Sequence, residues 1–274
     1  MQIKILESKG NFIRFYVSGI DHQIANGIRR IMMVEVPTMA IDDVIIVESS
    51  SALRDEMIAQ RLGLLPLKTD LKSYVPRELC DCKSDLGCSK CSVTLTLESE
   101  AIDEPRNVYS KEFKSSDPEV VPFSGEVPIL KLAKGQRIRL EAYARFGTGM
   151  EHAKWQATAV STYKYAPVIK IDMEKCDLCK KCLKACPKRV LAMEEKKVIV
   201  VDYEKCDMCR SCVDSCPRDA ITVEEEKNAF IFNVESTGAL PPEKIVEKAI
   251  EILGEKTKDF EEQISKIREA EKSR

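Results

Sequence analysis

Alternation of apolar and polar residues predicts β-strands along much of the chain. The first alternation covers residues 2–17 and is interrupted by Gly10-Asn11, a pair typical of a hairpin turn. The continuous apolar run Val44–Val47 is typical of a buried strand. The same reasoning predicts further strands at residues 93–98, on both sides of 134–136, at 155–165 and at 230–234.

Helical spacing of apolar residues predicts two helices in the first quarter of the chain. Ser18 and Asp21 give an approximate capping signal for the first helix. Pro37 disfavours the helical conformation of the residue before it, so this helix is expected to end near Glu35. A second, short helix is predicted at residues 53–62. One face of the first helix carries apolar or small residues at spacings of three and four: Ile20, Ile24, Gly27, Ile28 and Ile31.

The tail of the chain is predicted to form a long amphipathic helix. Pro241-Pro242 suits the first turn of such a helix. Two interpretations stay open: the helix packs on its own domain, or it packs partly against another chain. The second is favoured because the apolar pattern continues beyond the globular sequence before it. That pattern is a heptad repeat interrupted once, by a threonine: Val246, Ile250, Leu253, Thr257, Phe260, Ile264 and Ile267.

Composition and charge narrow the class of protein. The 274 residues suggest about two domains. Apolar residues make up 44% and charged residues 32%, as in ordinary globular proteins. The formal net charge of −2 lacks the basic excess of a nucleic-acid-binding domain, so direct sequence-specific DNA binding is not expected.

The first residues and the cysteine content indicate a reducing compartment. The segment Met1–Glu7 has no apolar core and no small-residue cleavage site, so no signal peptide is expected. No apolar stretch is long enough for a membrane-spanning helix. A cytoplasmic location is therefore predicted, and twelve cysteines in that compartment favour metal ligation over disulfides.

An internal repeat contains eight of the twelve cysteines. Asp172–Cys176 recurs as Asp202–Cys206, and each copy continues as C-x2-C-x2-C-x3-C-P. This spacing is typical of [4Fe–4S] binding in bacterial ferredoxins, in which the fourth cysteine of each half serves the other cluster. Zinc binding, or no metal at all, is disfavoured because both copies and both prolines are intact. One cluster is predicted on Cys176, Cys179, Cys182 and Cys216, and the second on Cys206, Cys209, Cys212 and Cys186.

A third group of cysteines has a different spacing. Cys80, Cys82, Cys88 and Cys91 form C-x-C-x5-C-x2-C, two close pairs joined by a short loop that contains Gly87. Two such pairs suit structural zinc, which takes four protein ligands in a tetrahedron. The alternative, an empty or redox-paired group, stays open because C-x-C is tighter than the usual C-x2-C.

No catalytic centre is predicted. His22 is interpreted as a helix-surface residue and His152 as a packing or hydrogen-bonding residue, since neither has a catalytic or ligand spacing. The segment Gly147–Gly149 lacks the third glycine of a dinucleotide-binding loop. Two function classes remain for the repeat of residues 168–225: an electron-transfer module of an oxidoreductase, or a structural module of a larger assembly. The rest of the chain has no flavin, nucleotide or substrate motif.

Four segments resemble, in order along nearly the whole chain, the signatures of the α-subunit family of cellular RNA polymerases. An inserted ferredoxin-like module is typical of the archaeal D subunits of that family and is missing from its eukaryotic members. The four segments are Ala25–Ile31 with Glu35-Val36-Pro37, Ser51–Leu67, Glu151–Trp155, and Glu235–Gly238 with Pro241-Pro242.

The resemblance implies an α+β fold and a non-catalytic role in transcription. It implies a discontinuous dimerisation domain at residues 1–40 and 155–274, with the two-cluster, ferredoxin-like module 168–225 inserted in its second part. An insert domain at residues 41–154 would carry the zinc loop 80–91. The iron–sulfur module is then expected to be mainly structural or regulatory.

The resemblance also implies partners. The first and last helices are expected to pack against a smaller polymerase subunit, L. The resulting heterodimer would nucleate assembly with the small subunits N and P and then the two large catalytic subunits. The residues expected at the interface with L are Ile24, Ile28, Ile31, Phe260, Ile264 and Ile267.

Overall fold

The structure, a computed structural model, describes residues 1–272, with side chains described for residues 1–269. The last two residues of the predicted dimerisation domain, 155–274, lie outside this range. The strands are β1 Gln2–Lys9, β2 Phe12–Ser18, β3 Thr38–Ser49, β4 Ser92–Glu100, β5 Arg106–Tyr109, β6 Lys114–Ser115, β7 Pro128–Leu132, β8 Arg137–Gly147, β9 Thr158–Ile171, β10 Leu191–Glu194, β11 Lys197–Val200 and β12 Ile221–Ser236. The α-helices are α1 His22–Val34, α2 Asp55–Gly63, α3 Lys181–Ala185, α4 Ser211–Asp214 and α5 Pro242–Lys272.

The elements form an α+β fold that divides into two compact units. One unit comprises residues 1–9, 13–26 and 162–233, and the other comprises residues 10–12, 27–161 and 234 onward. The cysteine repeat belongs to the same unit as the parts of β9 and β12 that lead into and out of it. This division differs from the predicted one into dimerisation, insert and iron–sulfur domains, which stays a prediction.

The first unit is built on a four-stranded sheet in the order β1-β2-β12-β9. The predicted hairpin is confirmed, with Gly10 in the left-handed conformation (φ +58) at its turn. One face of the sheet stacks Phe15 on Phe232, with ring centroids 5.0 Å apart. The other face buries Ile231 with Ala166 and Ala229. The sheet therefore has apolar packing on both faces.

The second unit contains a sheet in the order β3-β8-β4-β6, with α2 packed on β3. Its core consists of alternate residues of the strands together with Ile58 and Leu62 of α2, which are completely buried. The short helix and the strands predicted at 93–98 and on both sides of 134–136 are confirmed as α2, β4, β7 and β8. The strand predicted to start at residue 155 begins at Thr158, because residues 153–155 form a single 3-10 turn.

The predicted burial of Val44–Val47 is wrong, although these residues do lie in a strand. β3 is at the edge of its sheet and pairs only with β8 among the strands of that sheet. Alternate side chains of an edge strand face opposite sides, so Val44 and Ile46 pack on the core while Ile45 and Val47 are exposed. The buried part of β3 is its beginning, from Thr38 to Ile41.

The predicted tail helix is confirmed as α5. Its first part is anchored by Ile245 and Ala249, which are completely buried. From Gly254 to Glu269 every described side chain is exposed except that of Ile264, which is partly buried. Among the described residues, no helix is both long enough and apolar enough to cross a membrane. Between Gly254 and Glu269 the rest of the described chain thus covers little of α5, although Lys256 Nζ pairs with Glu35 Oε2 at 2.5 Å.

Candidate metal centres and the exposed helix face

Four thiols meet in the loop between α2 and β4. The Sγ atoms of Cys80, Cys82, Cys88 and Cys91 all lie within 4.8 Å of one another. The distances are 3.7 Å for Cys80–Cys88, 3.7 Å for Cys82–Cys91 and 3.9 Å for Cys88–Cys91. Tetrahedral zinc with Zn–S bonds of about 2.3 Å would place its sulfurs about 3.8 Å apart. All four cysteines are free thiols, and they have the arrangement of a four-sulfur metal site.

The backbone of this loop is shaped to bring the thiols together. Gly87 has φ +83, and a Cβ atom there would lie 2.7 Å from Ser92 Cβ and 3.1 Å from Cys91 Sγ. The Cys88 N–H donates a hydrogen bond to Cys91 Sγ, 3.2 Å away. Two further main-chain bonds, from the N–H groups of Cys91 and Ser92 to Cys88 O, close the turn. Glycine at position 87 is therefore required by both conformation and space.

The thiols of this loop differ in acidity without a metal. A hydrogen bond from the backbone N–H of Lys90 lowers the pKa of Cys88 to about 7. Burial raises the pKa of Cys91 to about 12. A divalent cation would make all four groups thiolates, because a coordinating thiol loses its proton. The donor set thus fits a thiophilic cation.

The backbone repeats its conformation in the two halves of the cysteine repeat. Positive φ angles occur in pairs thirty positions apart: 60° at Leu178 and 52° at Met208, 61° at Lys180 and 60° at Arg210, 53° at Arg189 and 50° at Asp219. Residues other than glycine adopt this region rarely, so three matched pairs show that both halves fold in the same way. In each half the second cysteine is exposed and the third lies buried on a short helix, α3 or α4.

The fourth cysteine of the first half lies beside the second half. Burial raises the pKa of Cys206 and of Cys212, and the neighbouring Cys186 sulfur raises both further. Burial likewise raises the pKa of Cys182, with added contributions from Cys176 and Cys179. The structure therefore brings Cys186 together with cysteines of the other half.

Two ion pairs connect the halves, and each joins the end of one half to the start of the other. Lys188, two positions after Cys186, has Nζ 3.1 Å from Oδ2 of Asp207 in the second half. Arg218, at the equivalent position of the second half, has Nε 3.8 Å from Oδ2 of Asp177 in the first. Sequence reasoning missed these residues, yet the repeat itself contains the signal: both halves have a basic residue two positions after the fourth cysteine.

The core of the module is made by the cysteines themselves together with short apolar side chains. Cys182, Cys186, Cys206 and Cys212 are buried with residues of β10, β11 and β12. The four cysteines predicted to hold the second cluster include three buried ones, whereas those predicted to hold the first include only Cys182. The two sets therefore differ in exposure.

An ionic cluster lies against the Trp155 ring, and sequence reasoning did not predict it. The Arg145 guanidinium lies 4.4 Å and Lys154 Nζ 4.2 Å from the centroid of the Trp155 ring. Asp42 accepts hydrogen bonds from Arg145 at 2.6 Å and from Lys154 at 2.5 Å. Burial would raise the pKa of Asp42, but these two bonds hold it below its usual value. Gly147 packs against the Trp155 ring, where a Cβ atom would lie 2.4 Å from ring carbons.

The two histidines have no ligand geometry. The Lys154 N–H donates to His152 Nδ1 at 3.0 Å, and the His152 ring lies edge-on to Trp155 with 6.5 Å between centroids. This confirms the prediction that His152 is a packing or hydrogen-bonding residue. His22 is exposed in the first turn of α1, which confirms its predicted surface position.

The segment before α5 fixes the start of that helix. Ser236 Oγ donates to Leu240 O at 2.5 Å and accepts from the Gly238 N–H at 2.9 Å. Thr237 Oγ1 donates to the main-chain oxygens of Gln156 and Ala157, each at 3.2 Å. Gly238 has φ +101, and a Cβ atom there would lie 2.4 Å from the Phe123 ring. These contacts fix the chain at the beginning of α5.

The residues predicted at a subunit interface do not all lie at the surface. Ile24, Phe260 and Ile267 are exposed, with 64% of Phe260 accessible. Ile28 and Ile264 are partly buried. Ile31 is only 5% exposed, so its placement at the interface is corrected: it belongs to the core of its own chain, together with Ala25 and Met32 of the same helix. Ile250, in the same heptad pattern of α5, is 47% exposed.

Comparisons with known proteins match nearly the whole chain. The sequence profile described as the RNA polymerase Rpb3/Rpb11 dimerisation domain matches residues 14–257. The DNA-directed RNA polymerase subunit Rpo3 of Methanosphaera stadtmanae is 42% identical over 260 residues, which cover 93% of this chain and 96% of that relative. The Rpo3 subunit of Archaeoglobus fulgidus is 42% identical over 266 residues, or 97% of this chain and 98% of that relative.

The similarity extends to a eukaryotic protein. The DNA-directed RNA polymerase II subunit rpb3 of Dictyostelium discoideum is 36% identical over 288 aligned residues, which cover 96% of this chain and 95% of that relative. In all three cases the alignment includes both units of the fold.

Proposed function

We propose an assembly role for this chain, which belongs to the RNA polymerase Rpb3/Rpb11 dimerisation domain family and is a non-catalytic subunit of a DNA-directed RNA polymerase. In this role the chain pairs with a second, smaller subunit and offers the pair as a platform for the rest of the enzyme. The relatives' names favour this reading over the alternative of an electron-transfer subunit of an oxidoreductase.

The observation that carries the proposal is the uncovered apolar face of α5. Ile250, Phe260 and Ile267 repeat at heptad spacing on one side of the helix and are exposed. An exposed apolar stripe of this length is characteristic of a surface that another protein covers. The buried Ile245 and Ala249 hold the beginning of α5 on its own unit, so the stripe is presented in a fixed position.

The partner that the family resemblance implies is the small subunit L. L would contact the α5 stripe, and it would also contact Ile24 and Ile28 of α1. The small subunits N and P and the large catalytic subunits would then bind the heterodimer. The cytoplasm is the compartment in which this assembly would occur.

The cysteine repeat would hold two [4Fe–4S] clusters in a ferredoxin-like module. Cys176, Cys179, Cys182 and Cys216 would hold the first, and Cys206, Cys209, Cys212 and Cys186 the second. The position of Cys186 beside Cys206 and Cys212 supports this crossed ligation. Since the cysteines form much of the core of the module, the clusters would serve mainly to hold its two halves together.

The loop of residues 80–91 would hold structural zinc. Cys80, Cys82, Cys88 and Cys91 supply four sulfurs at tetrahedral spacing and leave no ligand position open for a substrate. Iron in a four-sulfur site has a similar geometry, so the choice of zinc over iron is based on the structural role proposed for this loop. Zinc has no redox chemistry, and it would cross-link a loop that has little apolar core of its own.

Co-expression with the L subunit of the same organism tests the assembly role. The full chain and L are expected to co-purify as a 1:1 complex by size-exclusion chromatography with light scattering. The chain expressed alone is expected to self-associate through the uncovered α5 stripe. A soluble monomeric chain that does not bind L would contradict the proposal.

A further inference from the structure

The side chain of Lys164 reaches from the sheet to the loop that begins the second half of the cysteine repeat. Its Nζ donates to Glu204 O at 2.7 Å, to Cys206 O at 2.8 Å and to Asp207 Oδ1 at 3.3 Å. An ammonium group has three N–H donors, so these acceptors satisfy it completely. One of them is the main-chain oxygen of a predicted cluster ligand, Cys206.

We propose that Lys164 is a positioning residue for the second cluster site, fixing the loop of Cys206 to the sheet and placing a positive charge beside the thiolates. The proposal rests on the two-cluster reading given above. It concerns a residue that lies on β9, outside the repeat, so the repeat supplies no equivalent lysine for the first site.

The environment of Lys164 favours this role over that of an ordinary surface lysine. Its side chain is 24% exposed, while Lys170 on the same strand is 65% exposed and pairs with Glu224, at 3.0 Å. Bonds from a charged donor are stronger than neutral ones, and more so where water is partly excluded. Asp207 is also held by Lys188, so the loop is tied both to the sheet and to the first half of the repeat.

The consequence is a functional asymmetry between the two sites. The second site combines three buried cysteines with the charge of Lys164, whereas the first has one buried cysteine; each site has one exposed cysteine. Outer contacts that orient a metal ligand change metal affinity by roughly 10- to 100-fold when they are removed. A nearby cation also favours the reduced, more negative form of a cluster. The second cluster is therefore expected to be released more slowly and to be reduced more easily than it would be without Lys164.

The test isolates the second site in the full chain. A C176S/C179S background removes two ligands of the first cluster and leaves the predicted second site intact. In this background, K164M should release iron to a chelator roughly 10-fold faster under anaerobic conditions. It should also lower the midpoint potential measured by dithionite titration with electron paramagnetic resonance. K164R, which keeps the charge, should restore the potential at least in part, and K170M should change neither quantity.

The possible results separate this inference from the proposal on which it rests. If K164M and K170M release iron at the same rate and have the same potential, the role of Lys164 is wrong and the two-cluster reading stands. If K164M accelerates release but the potential does not move, Lys164 is an ordinary structural residue and the proposal is overturned. If the wild-type chain binds no iron after anaerobic reconstitution, both proposals fail.

Discussion

Lys188 Nζ lies 3.1 Å from Asp207 Oδ2. Lys188 comes two positions after the last cysteine of the first half of the repeat, and Asp207 is next to the first cysteine of the second half. The equivalent pair, Arg218 with Asp177, lies at 3.8 Å. Both pairs are largely exposed and contribute little free energy. Their value is geometric: they place the end of each half beside the start of the other, as crossed ligation of two clusters requires.

Crossed ligation predicts which pairs of cysteine substitutions act on the same cluster. The C186S/C209S variant removes two ligands of one cluster and should retain about four of about eight irons. The C186S/C179S variant removes one ligand from each cluster and should retain far less iron after anaerobic reconstitution. Iron analysis of the two purified variants checks this, and the opposite order of iron content would show that each half binds its own cluster.

The loop of residues 80–91 should lose its metal when Gly87 is replaced. In G87A the new methyl group would meet Ser92 Cβ and Cys91 Sγ, and the left-handed backbone would be strained. Zinc per chain, measured by plasma mass spectrometry, should fall well below the wild-type value of about one, while iron content stays unchanged. G135A is the control, since Gly135 also has a positive φ but no atom lies within 4 Å of its Cβ position. Equal zinc contents of G87A and G135A would contradict the proposal that zinc binds in this loop.

Charge placed on the α5 stripe should abolish binding of the small subunit. In F260D/I267D two carboxylates would enter an apolar interface, where an unpaired ion is strongly disfavoured. Co-purification with L should be lost, while iron and zinc contents stay as in the wild type because neither residue lies near a cysteine. S265D places a single carboxylate on the far side of the helix and should bind L normally. Binding of L by soluble F260D/I267D would contradict the proposal that the α5 stripe is the interface with L.

The ionic cluster around Trp155 should make stability depend on pH in the acid range. The pKa of Asp42 is held below its usual value in the folded chain. The charged Asp42 side chain therefore makes its full contribution to the free energy of unfolding above the unfolded pKa of about 3.9. This contribution is lost as pH falls through the lower, folded value. D42N should therefore lower the free energy of unfolding by about 1–3 kcal/mol at neutral pH. Thermal unfolding of both proteins should show the difference shrinking below about pH 4, and a constant difference would contradict the role of the charge.

Much of the fold could be predicted because strong local patterns decide it. The turn at Gly10-Asn11, the helical spacing of Ile24, Ile28 and Ile31, and the heptads of α5 each have one good structural solution. The cysteine spacing determined the candidate sites for the same reason, since ligands of one metal must recur at short intervals. The repeat also contained a signal of the crossed ion pairs, a basic residue two positions after the fourth cysteine of each half.

The wrong or missed features depend on contacts between segments that are distant in sequence. Ile45 and Val47 are exposed because they lie on the face of the sheet opposite the core, and a continuous apolar run does not reveal whether one or both faces of a sheet are covered. The burial of Ile31 depends on which side of α1 faces inward. Lys164 acts about forty residues away from Cys206, and no periodicity connects them.

The central claim, that this polymerase subunit is an assembly platform whose iron–sulfur module is structural, is tested most directly by reconstituting the enzyme from purified subunits. The C186S/C216S variant, which removes one ligand from each cluster, is compared with the wild type. We predict a lower yield of assembled polymerase and an unchanged rate of nucleotide addition per assembled complex. A full yield of assembled complexes that have lost nucleotide addition would contradict this account.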